Sequence, residues 1–348
     1  MQEVTEKTRA DLGAPVMSNP LGEHAIKDVD AMHAIAGAMQ AVEDRLMSVA
    51  QSSGPASDAI VHLISSGGKR IRPRLTLLIA ATCHDFSGEF PIDLAAASEL
   101  IHSASLLHDD VIDEGVQRRG IPTSRVVYSN TVSVLAGDHC LSSAVELIRA
   151  VDPGDVLAES LRAVQDLVNG ELLQLKTRGT LQVDEEHYRQ ICLHKTASLF
   201  VWAARAGARS ARATPRQLDA VGNMARNLGL AFQMRDDLLD ITGDQRFGKR
   251  LLDDLREGRM TLPVIYAVQS NPTLAVELQK MFEGSAPATT EALNVFRAQI
   301  EETGAIERVA DEVWSLTREA LDDLFTLPRT PYRDLIESQI EMLGSREI

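Results

Sequence analysis

The sequence has no apolar run long enough to cross a bilayer. Strings such as LTLLIAATC fall well short of the ~20 residues that a spanning helix requires, and read as buried helix. It has no CxxC pair. Cys83, Cys140 and Cys192 lie far apart, which argues against a disulfide framework and a structural zinc site and fits a reducing, cytoplasmic setting. All three read as small core residues. Positive charge is in deficit. Lys and Arg total 35 against 50 Asp and Glu, a formal net charge of −15, which excludes a general nucleic-acid binder and leaves carboxylates for a hard cation. The polar start, MQEVTEKTRADLGAPVMSNPLGEH, lacks the apolar core of a signal peptide, so residues 1–23 are expected to form a flexible N-terminal arm. Alternating β-branched runs are nearly absent, and no Ser/His/Asp triad is evident.

What remains is helical. Apolar residues recur at three and four in DVDAMHAIAGAMQAVEDRLMSVA, DVLAESLRAVQDLVNGELLQL, QLDAVGNMARNLGLAFQMRDDLLDI and AIERVADEVWSLTREALDDLF. Breakers such as SSGGKRIRP, RRGIPT, VDPGD and LPRTP separate roughly ten or more helices. Apolar residues make up 44% of 348, enough for a large core, and no shift in composition divides the chain. The expectation is an all-α single domain over residues 24–348.

One pattern recurs. DDVID at 109–113 returns as DDLLD at 236–240, each closing an apolar helical run. Two ordinary acidic helix ends would be the bland explanation. Carboxylates are better placed at helix N-termini, however, and like charges four apart repel by a few tenths of a kcal/mol. Residues four apart share a helix face, so Asp109 with Asp113, and Asp236 with Asp240, offer carboxylate pairs. An all-oxygen set suits Mg²⁺, which keeps several waters and shares phosphate oxygens with a substrate. An EF-hand is excluded, because Val111, Glu114 and Gly120 stand where ligands or an obligatory glycine belong. Bases flank both clusters: Lys69, Arg70 and Arg72 in the glycine loop GGKRIRP, then Arg118 and Arg119, Lys195, and Lys249. Each alone reads as a solvated charge. Together they suggest a substrate with two phosphates bridged by Mg²⁺.

GGKRIRP, ELIHSASLLHDDVIDEGVQRRGIPT, VLAGDHCL, GELLQL, HKTASLF, AFQMRDDLLDITGD and DDLREGRMTLP, in that order, resemble the trans-isoprenyl diphosphate synthases from about Asp28 to the C-terminus. The resemblance implies a helical bundle around a deep central cavity, usually a homodimer, with a heteromeric assembly as the alternative. It implies head-to-tail condensation of isopentenyl diphosphate with an allylic geranyl, farnesyl or geranylgeranyl diphosphate, using Mg²⁺ at about three ions per site. By the same resemblance Asp109, Asp113, Asp236 and Asp240 hold the metal, with Asp110 and Asp237 in support. Arg118, Lys195 and Lys249 hold the allylic diphosphate; Lys69, Arg72, His102 and Arg119 hold isopentenyl diphosphate; Thr196 and Gln233 steady the allylic cation. Two positions depart from the family: Leu252 stands where glycine is usual, and Arg259 where lysine is usual.

His102 belongs to the stripe 102, 105, 106, 109, 113, which favours a phosphate contact over a core histidine. Ala104 and Ser105 sit about one turn before Asp109, where short-chain family members carry an aromatic floor. Small residues there imply medium or long products, about C30 to C50, with a C20 product as the alternative. The floor is expected near Val134 or Leu141. A class I terpene cyclase would have no use for Lys69 and Arg72, and a non-catalytic subunit would tend to lose the aspartates that this chain keeps. Membrane contact is expected only for release of an apolar product.

Overall fold

The computed structural model describes residues 20–83, 89–151, 155–243, 252–285 and 289–345, with side chains from Val29 onward. The chain is all-α, as its periodicity predicts. α1 (Pro20–Ser52) buries Ala31, Ile35, Ala38, Val42, Leu46 and Ala50, a stripe at steps of three and four. That stripe packs on α4 (Ile92–Ile112), which also lies along α6 (Asn130–Val151). Between them, α3 (Ile71–Cys83) is buried on every side from Leu75 to Cys83 and packs against both α4 and α9 (Ser198–Ser210). A helix apolar all round belongs at the centre of a bundle. Leu77, Leu78 and Ile79 are fully buried, each contributing about 1.5–3 kcal/mol, and truncating one to alanine should cost about 2–5 kcal/mol.

α10 (Pro215–Thr242) is the second axis. Its start is fixed by a capping box between Thr214 and Gln217, with Pro215 in the first turn. Its N-terminal half joins the core formed with α1, α3, α4, α9 and α7 (Val156–Thr177). Its C-terminal half joins a second core with α12 (Leu262–Ser270), α14 (Thr290–Glu302) and α15 (Ala305–Leu324). Smaller helices complete the bundle, among them α2 (Ser57–Ser65), α5 (Ser124–Val127), α8 (Glu185–Cys192), α11 (Asp253–Arg256), α13 (Pro272–Phe282) and α16 (Pro331–Gly344).

The one β element among the described residues is a hairpin. β1 (Gln117–Arg118) pairs antiparallel with β2 (Ile121–Pro122). Its two turn residues, Arg119 and Gly120, have φ of 53° and 80°, the pattern of a type I′ turn that suits the twist of a two-stranded ribbon. The three cysteines are buried and free. Among the described residues, no helix is long and apolar enough to cross a membrane. The expected arm over 1–23 falls mostly outside the described residues; α1 runs from Pro20.

Candidate active site

A cavity of about 750 Å³ opens between the C-terminal ends of α4 and α10. One of its walls is the stripe read from α4: His102, Ser105, Leu106, Asp109 and Asp113 all line it. Ala104 does not. Stepping one residue along a helix turns the side chain by about 100°, and Ala104 faces the core at 4% exposure. The floor expected near Val134 or Leu141 is likewise not on this wall: Val134 is exposed and Leu141 packs against the core.

Asp109 and Asp113 stay together, but their neighbours differ. Burial pushes the Asp109 carboxyl up to about 6, with Glu171 and Asp113 adding to the rise and Lys195 opposing it. Lys195 Nζ stands 3.8 Å from Asp109 Oδ2, is paired with Glu171, and donates to Gln174 Oε1 at 3.1 Å. Asp113 accepts from Arg178 Nη1 at 2.9 Å and Arg259 Nη1 at 3.4 Å. Asp110 is buried and paired with Arg118 at 2.9 Å, off the cavity wall. Its carboxylate holds the hairpin arginine in place.

The second cluster divides in the same way. Asp236 and Asp237 line the cavity. Asp240 turns instead to the start of α11, where it accepts from the backbone N–H of Asp253 at 3.0 Å and Asp254 at 3.4 Å. A carboxylate satisfying the first N–H groups of a helix is favourable. Asp254 takes a place on the wall. Burial and the charge of Asp254 raise Asp240 to about 7 and Asp237 to about 8.

Of the bases, Lys69, Arg72, Arg118, Arg119 and Lys195 all reach the cavity. Arg72 lies 4.8 Å above the Phe200 ring, and burial lowers its pKa to about 10. Its Nε is buried with no hydrogen-bond partner, as is expected of a donor awaiting an anion. Lys69 lies 5.7 Å over Phe232. Arg70 is set apart from its neighbours in the glycine loop: Glu43, Glu99 and the Ile64 carbonyl hold it at 2.6, 2.8 and 2.9 Å, so it anchors the loop. Burial and four arginines hold His102 well below the usual imidazole range, so it is neutral and offers one N–H. Lys249 lies outside the described residues.

Lys195 and Thr196 sit on a π-helical turn, Leu193–Ala197, between α8 and α9. Single π turns often mark functional positions. Two glycines let it nest. A Cβ on Gly170 of α7 would come within 2.8 Å of Lys195 N, and one on Gly229 of α10 within 2.7 Å of Ala197 Cα. From this turn a polar chain runs inward. Thr196 Oγ1 donates to Gln233 Oε1 at 2.7 Å, Gln233 Nε2 donates to Asp237 Oδ1 at 2.9 Å, and Tyr188 OH donates to Asp237 Oδ2 at 2.6 Å.

Tyr188, Glu171, Arg178 and Asp254 also line the cavity, and no local pattern in the sequence marks them. GELLQL and DDLREGRMTLP contain two of them, but motif membership alone does not say which side chain faces the cavity. The two departures now have physical accounts. Leu252 adopts φ 57°, the region that favours glycine, yet its side chain is 1% exposed in the second core. Arg259 bridges Asp113, Asp254 and Glu257, which needs a forked guanidinium.

The donor set fits Mg²⁺. Among the described residues, no three carboxylates, imidazoles or thiolates stand close enough to hold an ion unaided. Mg²⁺ does not require that, because one or two carboxylates plus substrate phosphates and water suffice. Asp109, Asp113, Asp236 and the more buried Asp237, all on the wall, meet that need.

The polyprenyl synthetase family pattern matches residues 55–299. Octaprenyl diphosphate synthase of Escherichia coli (strain K12) is 34% identical, covering 79% of this chain and 85% of that protein. A short chain isoprenyl diphosphate synthase of Methanothermobacter thermautotrophicus is 33% identical, covering 82% and 89%. The crystal structure of a decaprenyl diphosphate synthase from Rhodobacter capsulatus superposes with a TM-score of 0.84 at 32% identity, covering 92% and 99%.

Proposed function

The chain belongs to the polyprenyl synthetase family, and from that premise we propose that it is a trans-prenyltransferase joining isopentenyl diphosphate head to tail to an allylic prenyl diphosphate. The observation that carries this reading is a single cavity lined together by Asp109, Asp113, Asp236, Lys195, Lys69 and Arg72. Clustered carboxylates and clustered bases in one cavity suit two diphosphates, one of them bound through metal.

Asp109, Asp113 and Asp236 would hold Mg²⁺, with the more buried Asp237 on the same wall and Asp240 supporting the site through α11. When bound there, Mg²⁺ would supply positive charge to offset that of the diphosphate leaving group. Lys195 and Arg118, with Lys249, hold that diphosphate. Lys69, Arg72, Arg119 and neutral His102 hold isopentenyl diphosphate. The allylic C–O bond breaks, and the isopentenyl double bond supplies the electron pair of the new C–C bond. A proton then leaves to restore a double bond, taken by the released diphosphate. The dipoles of Thr196 and Gln233 face the developing cation and need no reorganisation, because Asp237, itself held by Tyr188, already fixes Gln233.

A product of about C30 to C50 is favoured by small Ser105 on the wall and by the octaprenyl and decaprenyl relatives. Self-association as a homodimer is supported by apolar residues left exposed on two helices: Val134 and Leu135 on α6, with Leu161, Val168, Leu172 and Leu175 on α7. Three buried free thiols suit a cytoplasmic enzyme that meets membranes only when its product leaves.

The test is incubation with farnesyl diphosphate, isopentenyl diphosphate and Mg²⁺, followed by chromatography. Elongated all-trans products support the reading; cyclised hydrocarbon or no turnover would sink it. Asp109→Asn and Asp236→Asn should chiefly lower kcat, whereas Lys69→Ala and Arg72→Ala should chiefly raise KM for isopentenyl diphosphate.

A further inference from the structure

Arg178 ends α7 and carries two contacts that join distant parts of the cavity mouth. Its Nη1 donates to Asp113 Oδ1 at 2.9 Å, and its Nε donates to the Glu257 carbonyl at 2.9 Å. The next residue extends the join, with Gly179 N donating to the Gly258 carbonyl at 2.8 Å. The turn thus gripped is tied in the other direction to the second aspartate cluster. Leu252 N donates to the Asp240 carbonyl at 2.9 Å, and the Asp240 carboxylate receives the N–H groups that open α11. Arg259 returns from the same turn to Asp113. A continuous set of hydrogen bonds therefore runs from Asp240, through α11 and residues 257–259, to Asp113.

We propose that Arg178 is a positioning residue for the condensation, one that fixes Asp113 to the 257–259 turn and so sets the span between the two aspartate clusters. The inference rests on the functional reading above. Asp113 follows the last residue of α4, where the helix dipole disfavours a carboxylate. Without Arg178, its side chain would depend on the longer contact from Arg259 at 3.4 Å. Arg178 sits at the C-terminal end of α7, where a cation is favoured, and its fork serves two acceptors at once. An ammonium at the same place can serve only one of the two in that geometry.

The test has one arm that needs no turnover. Amides 256–259 are bonded within their turn and should exchange slowly in the metal-free wild type. In Arg178→Met, which keeps the apolar stem, they should exchange about tenfold faster or more. In the second arm, Arg178→Met should raise the Mg²⁺ concentration for half-activation and lower kcat about ten- to hundredfold, with KM for isopentenyl diphosphate unchanged. Arg178→Lys should recover part of this. Gly258→Ala disturbs the join by another route: a Cβ there would stand 2.8 Å from Gly179 N and would strain a backbone at φ 77°, without touching a charge, and should shift the Mg²⁺ requirement in the same direction. Wild-type exchange at 256–259 in Arg178→Met, or an Mg²⁺ requirement unmoved in both variants, would overturn the proposal. A wild-type protein that fails to condense the two substrates would sink the functional reading instead, and the exchange arm would still report on the join.

Discussion

Replacing Ser105 by phenylalanine should shorten the product, and replacing Ala104 by phenylalanine should not do so selectively. The two positions adjoin in sequence, but one is on the cavity wall and the other in the core. Four residues of helix rise separate Ser105 from Asp109, about 6 Å, or roughly one isoprene unit. A helical side chain leans towards the N-terminus, so a ring at 105 points away from the aspartates and into the path of the growing tail. It should stop growth after about two to three units and spare the chemistry at the mouth. The Ser105 hydroxyl donates only to His102 O on its own helix, so its loss costs little. A ring at 104 has no cavity to enter. Overpacking should cost about 1–3 kcal/mol. Unfolding entropy of about 2.1 cal/mol/K per residue over 348 residues is about 0.7 kcal/mol/K, so this lowers Tm by about 1–4 °C. The assay offers dimethylallyl, geranyl and farnesyl diphosphate separately with labelled isopentenyl diphosphate, and records product length beside each variant's Tm. A stable, active Ser105→Phe protein with the wild-type product spectrum would refute the placement of the tail along this wall.

The buried carboxylates predict a pH slope. Asp240 and Asp237 are raised to about 7 and 8, above the unfolded range near 4, so through this window the folded chain binds more protons than the unfolded chain and stability falls as pH rises. The metal-free Tm should therefore drop between about pH 5 and 8 and level off above that, and Asp237→Asn should flatten the drop; a rise with pH in this window would contradict it. Tyr188→Phe removes a donor from buried Asp237 and should cost about 1–3 kcal/mol, more at pH 9 than at pH 7, as read by denaturant unfolding at both. Leu252→Gly relieves a left-handed backbone worth about 1–2 kcal/mol but empties a buried site worth about 2–5 kcal/mol. A net loss of stability is expected, and a gain would show that the side chain is poorly packed.

The helical class and the α4 wall were legible because both rest on periodicity, which the chain cannot hide. Asp109 and Asp113 faced the cavity as their spacing required. Asp240 shows the limit of the same rule. Its helix face was right, but the start of α11, a separate element thirteen residues on, competed for its oxygens and Asp254 took the place on the wall. Ala104 shows how sharply one residue of helix decides between cavity and core. Arg178 and Tyr188 were invisible for another reason: their partners lie 65 and 49 positions away, and no local pattern marks such pairs.

The π turn at Leu193–Ala197 has a consequence for how this chain can vary in length. It places one residue more between Tyr188 and Phe200 than an α-helix would use to span the same rise. Deleting any residue of the turn would restore regular winding and rotate α9 against α8 by about 100°. Tyr188 could then reach Asp237, or Phe200 could remain in the core, but not both. Substitutions in 193–197 are therefore graded losses, whereas a single-residue deletion there is a phase error carried through the whole of α9. Connections such as residues 211–214 have no such phase to keep and should absorb insertions that this turn rejects.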